Sequence, residues 1–173
     1  ALHSPDGDQG FPGNLEFTVT YRLTESALHL CYHGMCDKDT VLNPTNHSYF
    51  NLAGQARTQE ALHQTLLIHA DFFTPADPGS IPTGEIAPVA DTPMDFRTEK
   101  AVGRDVEANY TPLLYQGGYD HNYVLRTPGL DHLAARLRDP GSGRIMEVYT
   151  TCPGLQLYTA NYLNTSGKGG VPY

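Results

Sequence analysis

The sequence of 173 residues has no tryptophan, only three cysteines, and 11 lysine and arginine residues against 19 acidic residues. The cysteines, Cys31, Cys36 and Cys152, are odd in number and form no C-x-x-C pair. A disulfide framework is therefore not expected, and a reducing compartment, the cytoplasm, is favoured. Because the net charge is −8 and no basic stripe could meet phosphates, the composition argues against nucleic-acid partners and anionic membranes.

Long apolar runs and long helical patterns are also missing. No apolar run approaches the ~20 residues that a membrane-spanning helix needs, and the first residues show no basic-plus-hydrophobic signal region. The 17 glycines and 13 prolines instead favour many short strands joined by turns. We therefore expect one all-β domain over residues 1–173, a length that permits a hydrophobic core.

Alternation of apolar and polar residues predicts where the strands lie. Residues 15–23 alternate clearly, and residues 28–32 resume the period after a break, which predicts an antiparallel hairpin. Further strands are expected over 66–72, 119–125, 133–138, 144–151 and 155–163, of which 66–72, 133–138 and 155–163 show the same alternation. Residues 98–107 are the one stretch with a helical pattern, whereas 109–118 is expected to be a loop. The Gly-rich tail at 164–173 is expected to be a mobile loop.

A polar stretch at residues 43–54 reads N-P-T-N-H-S-Y-F-N-L-A-G. At the strand period of two, a set of its side chains would share one face: Asn43, Thr45, His47, Tyr49 and Asn51. Burying such a polar face without water or hydrogen-bond partners would cost free energy, so the face suits the wall of a cleft that binds a ligand through hydrogen bonds. His47 lies at its centre, and imidazole exchanges a proton readily near neutral pH. Periodicity alone, however, favours a structural, hydrogen-bonded histidine here.

The last ten residues of that stretch, T-N-H-S-Y-F-N-L-A-G, resemble the signature of the aldose 1-epimerase (galactose mutarotase) family. Other segments resemble the same family along most of the chain: 5–13, 81–85, 91–97, 119–125 and 153–163. Asp91 departs from the family pattern, which usually has glycine there. The resemblance implies an antiparallel β-sandwich of the supersandwich, galactose mutarotase-like type, of which this chain would supply a central and C-terminal part.

The resemblance also implies roles for particular residues. His47 would be the catalytic general acid, and the sugar would be bound by His47, Ser48, Tyr49, Asp120 and Gln156. A carboxylate such as Asp120 can accept two sugar hydroxyls, and an amide such as Gln156 both donates and accepts. His121 would point to the opposite strand face and is expected to be structural. No cofactor is implied, and no metal site is expected at His29 and His33, because a strand would hold them ~13 Å apart.

The implied reaction interconverts the α and β anomers of hexoses such as galactose and glucose. An acid protonates the ring oxygen and a base takes the proton of the anomeric hydroxyl; the ring then opens, the C1–C2 bond rotates, and the ring closes. Family members are about twice as long, and their base glutamate has no counterpart in residues 1–173. We therefore expect the chain alone to be inactive, and a second chain or self-association to complete its open sheet edges.

Two other functions stay open. A non-catalytic sugar-binding β-sandwich would keep the cleft without the base, and sugar binding without turnover would identify it. A hexose-6-phosphate epimerase would need a basic phosphate pocket. The candidate basic residues are scattered along the sequence: Arg97, Arg104, Arg126 and Lys168.

Overall fold

The computed structural model describes residues 1–163. It divides into two compact units, the first formed by Ala1–Tyr49 and the second beginning at Phe50. The prediction of a mobile loop at 164–173 lies outside the described residues. A single domain over the whole chain stays a prediction.

The first unit is a three-stranded antiparallel sheet. Its strands are β1 (Leu2–Ser4), β2 (Leu15–Leu23) and β3 (Leu28–Cys36), with β2 in the middle. β2 pairs with β3 along their whole length, which confirms the predicted hairpin. The backbone N–H of Thr24 closes the turn by donating to the Ala27 carbonyl at 2.8 Å. The hydroxyl of Thr24 reinforces this turn, as short polar side chains commonly do.

Two four-stranded sheets form the second unit. Their strands are β4 (Thr65–Ile68), β5 (Ala70–Thr74), β6 (Ala87–Pro88), β7 (Lys100–Ala101), β8 (Asp120–Leu125), β9 (Ala135–Arg138), β10 (Ile145–Val148) and β11 (Gly154–Tyr158). One sheet has the order β10-β9-β4-β7 and the other β11-β8-β5-β6. Every described pairing is antiparallel, so the all-β, antiparallel prediction is confirmed.

The predicted strand at 66–72 is in fact two strands in different sheets. His69 separates β4 from β5, and its backbone N–H donates to the Ala134 carbonyl at 2.9 Å instead of continuing either strand. A β-bulge near the start of β5 then shifts the alternation by one residue. As a result, Phe73 is fully buried, whereas Phe72, which continues the period of Ile68 and Ala70, is 45% exposed.

The predicted helix at 98–107 is wrong. That stretch contains β7 and a single 3₁₀ turn at Val102–Arg104, and the α-helix, α1, lies at Thr111–Gln116 in the predicted loop. Pro112 in the first turn and Gly117 at φ 64° delimit this helix. The other 3₁₀ segments among the described residues are Asp8–Gly10 and Thr58–His63. No helix within residues 1–163 is long and apolar enough to cross a membrane.

The core of the second unit draws side chains from both of its sheets. Its largest fully buried apolar residues are Ile68, Phe73, Val89, Met94, Phe96, Leu113, Tyr119 and Tyr123. The rings of both tyrosines are buried, and their hydroxyl groups still form hydrogen bonds. Tyr119 donates to the Pro93 carbonyl at 2.8 Å, and Tyr123 donates to the Met94 carbonyl at 3.0 Å. The segment 92–97 is thereby held beneath β8, the strand that carries Asp120.

Candidate functional site

The strands β8 and β11 place several polar side chains on one outward face. In their antiparallel register, Asp120 lies opposite Tyr158 and Asn122 lies opposite Gln156. Residues directly opposite each other share a face, so these four residues form one surface, which we call the β8–β11 face. The alternate residues of both strands point inward, as the period-two pattern predicted.

Asp120 and Gln156 are brought into direct contact on this face. The Gln156 amide Nε2 donates to the Asp120 carboxylate Oδ1 at 2.8 Å. Among the described residues, no donor is recorded for Asp120 Oδ2 or Gln156 Oε1, so both are available to hydroxyl groups of a ligand. Gln156 is exposed and Asp120 is half-buried, which leaves the pair open to solvent.

His121 supports Asp120 from the inner face of β8. Its ring is 1% exposed, and its Nδ1 accepts the backbone N–H of Asp120 at 3.0 Å. The ring also packs edge-on against Phe73, with 5.7 Å between centroids. Burial lowers the pKa of His121 and outweighs the opposite effects of the Asp120 charge and the Pro112 carbonyl. The ring is therefore neutral near pH 7 and carries its proton on Nε2, which has no well-aligned partner among the described residues.

Thr159, the residue that follows β11, fixes the start of β8. Its hydroxyl accepts the backbone N–H of Tyr119 at 3.0 Å, and its own backbone N–H donates to the Tyr119 carbonyl at 3.0 Å. The Asn161 amide donates to the same carbonyl at 3.0 Å. The residue before Asp120 is thus held rigidly, which favours a defined position for the carboxylate.

The stretch at 43–54 is not a strand, and the predicted shared face does not form. Residues 41–50 have no regular secondary structure. Pro44 lacks an N–H for a ladder, and the Asn46 side chain accepts the backbone N–H of Ser48 at 3.1 Å, a local turn that competes with strand pairing. His47 and Tyr49 are exposed, and their rings lie 5.3 Å apart in an edge-on arrangement.

The Asn51 side chain does not line a cleft; it forms hydrogen bonds that hold the local backbone in place. Its Nδ2 donates to the carbonyls of Gly54 and Arg57 at 3.1 and 3.2 Å. Its Oδ1 accepts from the backbone N–H of Ala53 at 3.0 Å and from the Gln64 amide at 2.7 Å. Through these partners, Asn51 joins residues 53–57 to Gln64 at the end of the following 3₁₀ segment.

The five predicted site residues are divided between the two units. Asp120 and Gln156 belong to the second unit and touch each other. His47, Ser48 and Tyr49 end the first unit, and all three are exposed. A common site that joins both groups stays a proposal. The period-two reasoning did not single out Asn122, although its spacing from Asp120 placed both residues on the same face.

The described candidates for a phosphate pocket, Arg97, Arg104 and Arg126, are engaged in ion pairs with aspartates. Arg126 binds Asp71 through two contacts of 2.6 and 2.7 Å, and Arg97 binds Asp95 through contacts of 2.7 and 3.0 Å. These guanidinium groups lower the pKa of both carboxyl groups. Arg104 lies 3.5 Å from an aspartate as well. Paired arginines give no support to a phosphate pocket.

Metal-ligating groups do not cluster in the part of the chain that the structure describes. Within residues 1–163, no group of three or more His, Cys, Asp or Glu side chains is arranged to hold a metal ion. His29 and His33 lie on strand β3, as the alternation predicted. The three cysteines are free thiols.

Known proteins resemble this chain over nearly its whole length. The family model described as aldose 1-epimerase matches residues 1–171. The chain belongs to the aldose 1-epimerase family. It is 42% identical to the galactose mutarotase of Homo sapiens over 172 residues, covering 98% of this chain and 48% of that protein. It is 40% identical to the aldose 1-epimerase of Escherichia coli K12, covering 100% of this chain and 50% of that protein.

Solved structures of the family confirm the galactose mutarotase-like sandwich. The galactose 1-epimerase of Lactobacillus acidophilus matches with a TM-score of 0.82 at 32% identity, over 96% of this chain and 47% of that one. An aldose epimerase homologue from C. elegans matches with a TM-score of 0.83 at 30% identity, over 99% and 51% of the two chains. The chain spans about half the length of the curated relatives it matches.

Proposed function

We propose that this chain is the acid-bearing and sugar-binding part of an aldose 1-epimerase, which interconverts the α and β anomers of hexoses such as galactose and glucose. The observation that carries the proposal is the Asp120–Gln156 pair, which presents a carboxylate and an amide side by side on an exposed strand face. Membership of the aldose 1-epimerase family supports the same reaction class.

His47 is the proposed general acid. An imidazolium there donates its proton to the ring oxygen of the pyranose while a base withdraws the proton of the anomeric hydroxyl, and the C1–O5 bond breaks to give the open-chain aldehyde. Rotation about the C1–C2 bond and closure by the reverse proton transfers produce the other anomer. The exposed His47 ring, packed against the edge of Tyr49, is open to a substrate.

Asp120 and Gln156 are proposed to hold the sugar during this rotation. The carboxylate accepts hydroxyl protons in charge-assisted hydrogen bonds, and the amide both donates and accepts. Ser48 and Tyr49 are proposed to add contacts from the side of His47. The base is proposed to be the family glutamate, and the activity is proposed for the full-length protein.

The partners are proposed to be monosaccharides, and a second chain or a second copy is proposed to complete the sheets. Three free thiols support a reducing compartment, so we propose the cytoplasm as its location.

Polarimetry of freshly dissolved α-galactose tests the reaction directly. The full-length protein is expected to accelerate the change in optical rotation above the buffer rate. His47→Asn is expected to lower kcat by about 10²- to 10⁴-fold, because it removes the proton donor.

His33→Asn is the matched control, because His33 is an exposed histidine of strand β3. It is expected to leave kcat unchanged. Wild-type kcat in the His47→Asn variant, together with its native circular dichroism spectrum, would refute the role of this residue. Binding of galactose without any turnover by the full-length wild type would favour the non-catalytic sugar-binding function instead.

A further inference from the structure

Asn122 adjoins both proposed sugar-binding residues, Asp120 and Gln156, on the β8–β11 face. It is directly opposite Gln156 and two residues along the strand from Asp120. Strand geometry sets these spacings at roughly 5 Å between opposite Cβ atoms and roughly 7 Å between alternate residues of one strand. One pyranose ring with its hydroxyl groups can span such distances. Asn122 therefore lies close enough to Asp120 and Gln156 for its side chain to contact the same sugar molecule.

The Asn122 amide has unused hydrogen-bonding capacity. Its recorded contact among the described residues is a long one, from Nδ2 to the Thr74 hydroxyl at 3.5 Å. Its Oδ1 has no recorded donor there. The one buried side-chain polar atom without a partner within residues 1–163 is His121 Nε2, so Asn122 Oδ1 reaches solvent. An accessible acceptor on this face is suited to a hydroxyl group.

Gly154 provides the space in which the Asn122 amide lies. An ideal Cβ at position 154 would lie 2.2 Å from Asn122 Oδ1 and 3.1 Å from Asn122 Cγ. Any other residue at this position would displace the amide. Glycine is entropically unfavourable in a strand and often marks the close approach of another group. Here the approaching group is the Asn122 side chain, for which the absence of a Cβ at position 154 leaves room.

We propose that Asn122 is a third sugar-contacting side chain of the β8–β11 face, and that Gly154 positions it. The proposal rests on the proposed function for the identity of its ligand, an aldohexose. The amide accepts a hydrogen bond from one ring hydroxyl through Oδ1 and donates to a second oxygen through Nδ2. Asn122 thereby contributes to the selection of one hydroxyl pattern among hexoses.

The test compares Asn122→Ala and Gly154→Ala with the wild type, all in the full-length protein. The sugars are galactose and its 2-, 3-, 4- and 6-deoxy derivatives. KM and kcat are measured by polarimetry, and Kd is measured by isothermal titration calorimetry, which needs no turnover. Asn109→Ala is the matched control, since Asn109 is an exposed loop asparagine.

Asn122→Ala is expected to raise KM and Kd for galactose by about three- to tenfold, the usual effect of one lost neutral hydrogen bond. For the one deoxy sugar that lacks the contacted hydroxyl, Asn122→Ala is expected to have the same KM and Kd as the wild type. Gly154→Ala is expected to repeat this pattern although Asn122 is still present, and Asn109→Ala is expected to change nothing. A merely structural role of Asn122 would affect all five sugars alike.

An equal effect of Asn122→Ala on every sugar, or no effect on any, would overturn the inference and leave the proposed function intact. A wild-type protein that binds galactose without turnover would refute the epimerase activity, and the Kd ratios would still decide the role of Asn122. A wild-type protein that neither binds nor converts any hexose would overturn both proposals. Thermal unfolding of each variant identifies any variant that fails to fold.

Discussion

At the scale of single residues, Asp120 gives the sharpest test of sugar binding. Asp120→Asn keeps the size of the side chain but removes the charge that strengthens its hydrogen bonds to hydroxyl groups. We expect KM for galactose to rise by about 10- to 100-fold, because bonds to charged groups contribute about 1.5–3 kcal/mol. Initial rates by polarimetry measure this. Asp131→Asn, at a side chain that is 82% exposed, is expected to leave KM unchanged, and an equal rise there would contradict the assignment.

The buried His121 is expected to make the free energy of unfolding depend on pH. Burial lowers its pKa in the folded state below the ordinary value of 6.5. As the pH falls below 6.5, the unfolded chain takes up a proton that the folded chain does not, so the free energy of unfolding decreases. Above 6.5 both states are neutral and the effect vanishes. Denaturant unfolding between pH 7.5 and 5 is expected to show this decrease.

The variant His121→Phe is expected to flatten that pH dependence, because it removes the titrating ring. His33→Asn, at an exposed position, is expected to keep the wild-type slope. A His121→Phe protein with an unchanged slope would assign the pH dependence to other groups.

Asp91 shows how a local conformation explains a departure from the family pattern. Its backbone has φ 59°, in the left-handed region that glycine adopts without strain. Aspartate is among the few other residues that enter this region readily. An aspartate can therefore stand where the family usually has glycine.

At the scale of elements, Lys100 secures the segment beneath the β8–β11 face. It lies on strand β7 and is only 7% exposed. Its ammonium group donates to the Pro93 carbonyl at 2.7 Å and to Asp105 at 2.6 Å, and lies 4.3 Å from the centroid of the Phe96 ring. A buried cation with this set of partners connects β7 to the loop on which Tyr119 and Tyr123 also converge.

We expect Lys100→Met to destabilise the protein by about 2–4 kcal/mol, because it leaves a carbonyl and a carboxylate without their cation. Chemical denaturation measures the change. Arg136→Met is the control, since the Arg136–Glu147 pair is 38% exposed on both sides and such pairs contribute at most about 1 kcal/mol. Equal losses of stability in both variants would show that the buried Lys100 contacts contribute no more than an exposed ion pair.

At the scale of the whole molecule, the two units differ in how they bury apolar groups. Among residues 1–163, the buried hydrophobic residues lie in the second unit, where one cluster draws on both sheets. Within the first unit, Gly13 is the one buried residue. The stability of the described chain therefore depends chiefly on the second unit.

Phe96 tests this dependence because it is 1% exposed and contacts the rings of Tyr119 and Tyr123, with centroids 5.2 and 6.3 Å apart. We expect Phe96→Ala to cost about 3–5 kcal/mol in the free energy of unfolding. Phe11→Ala in the first unit, where the ring is 51% exposed, is expected to cost less than about 1 kcal/mol. Denaturant unfolding followed by tyrosine fluorescence compares them, and similar losses would contradict a core confined to the second unit.

The sequence by itself determined the strands whose apolar and polar residues alternate, because successive side chains of a strand point to opposite faces. The hairpin of β2 and β3 was found in this way, and the same period assigned Asp120 and His121, and likewise Gln156 and Leu157, to opposite strand faces. Motif resemblance indicated the family, since ten consecutive residues around His47 match its signature.

Only the tertiary structure decided the rest. The switch between sheets at His69 depends on a hydrogen bond to Ala134, a residue far along the chain, and no local pattern encodes it. The irregular conformation around His47 follows from polar side chains that bond to the nearby backbone, which an alternating pattern of residue types cannot reveal. The contact between Asp120 and Gln156 arises only when β8 pairs with β11, because register is set by long-range packing.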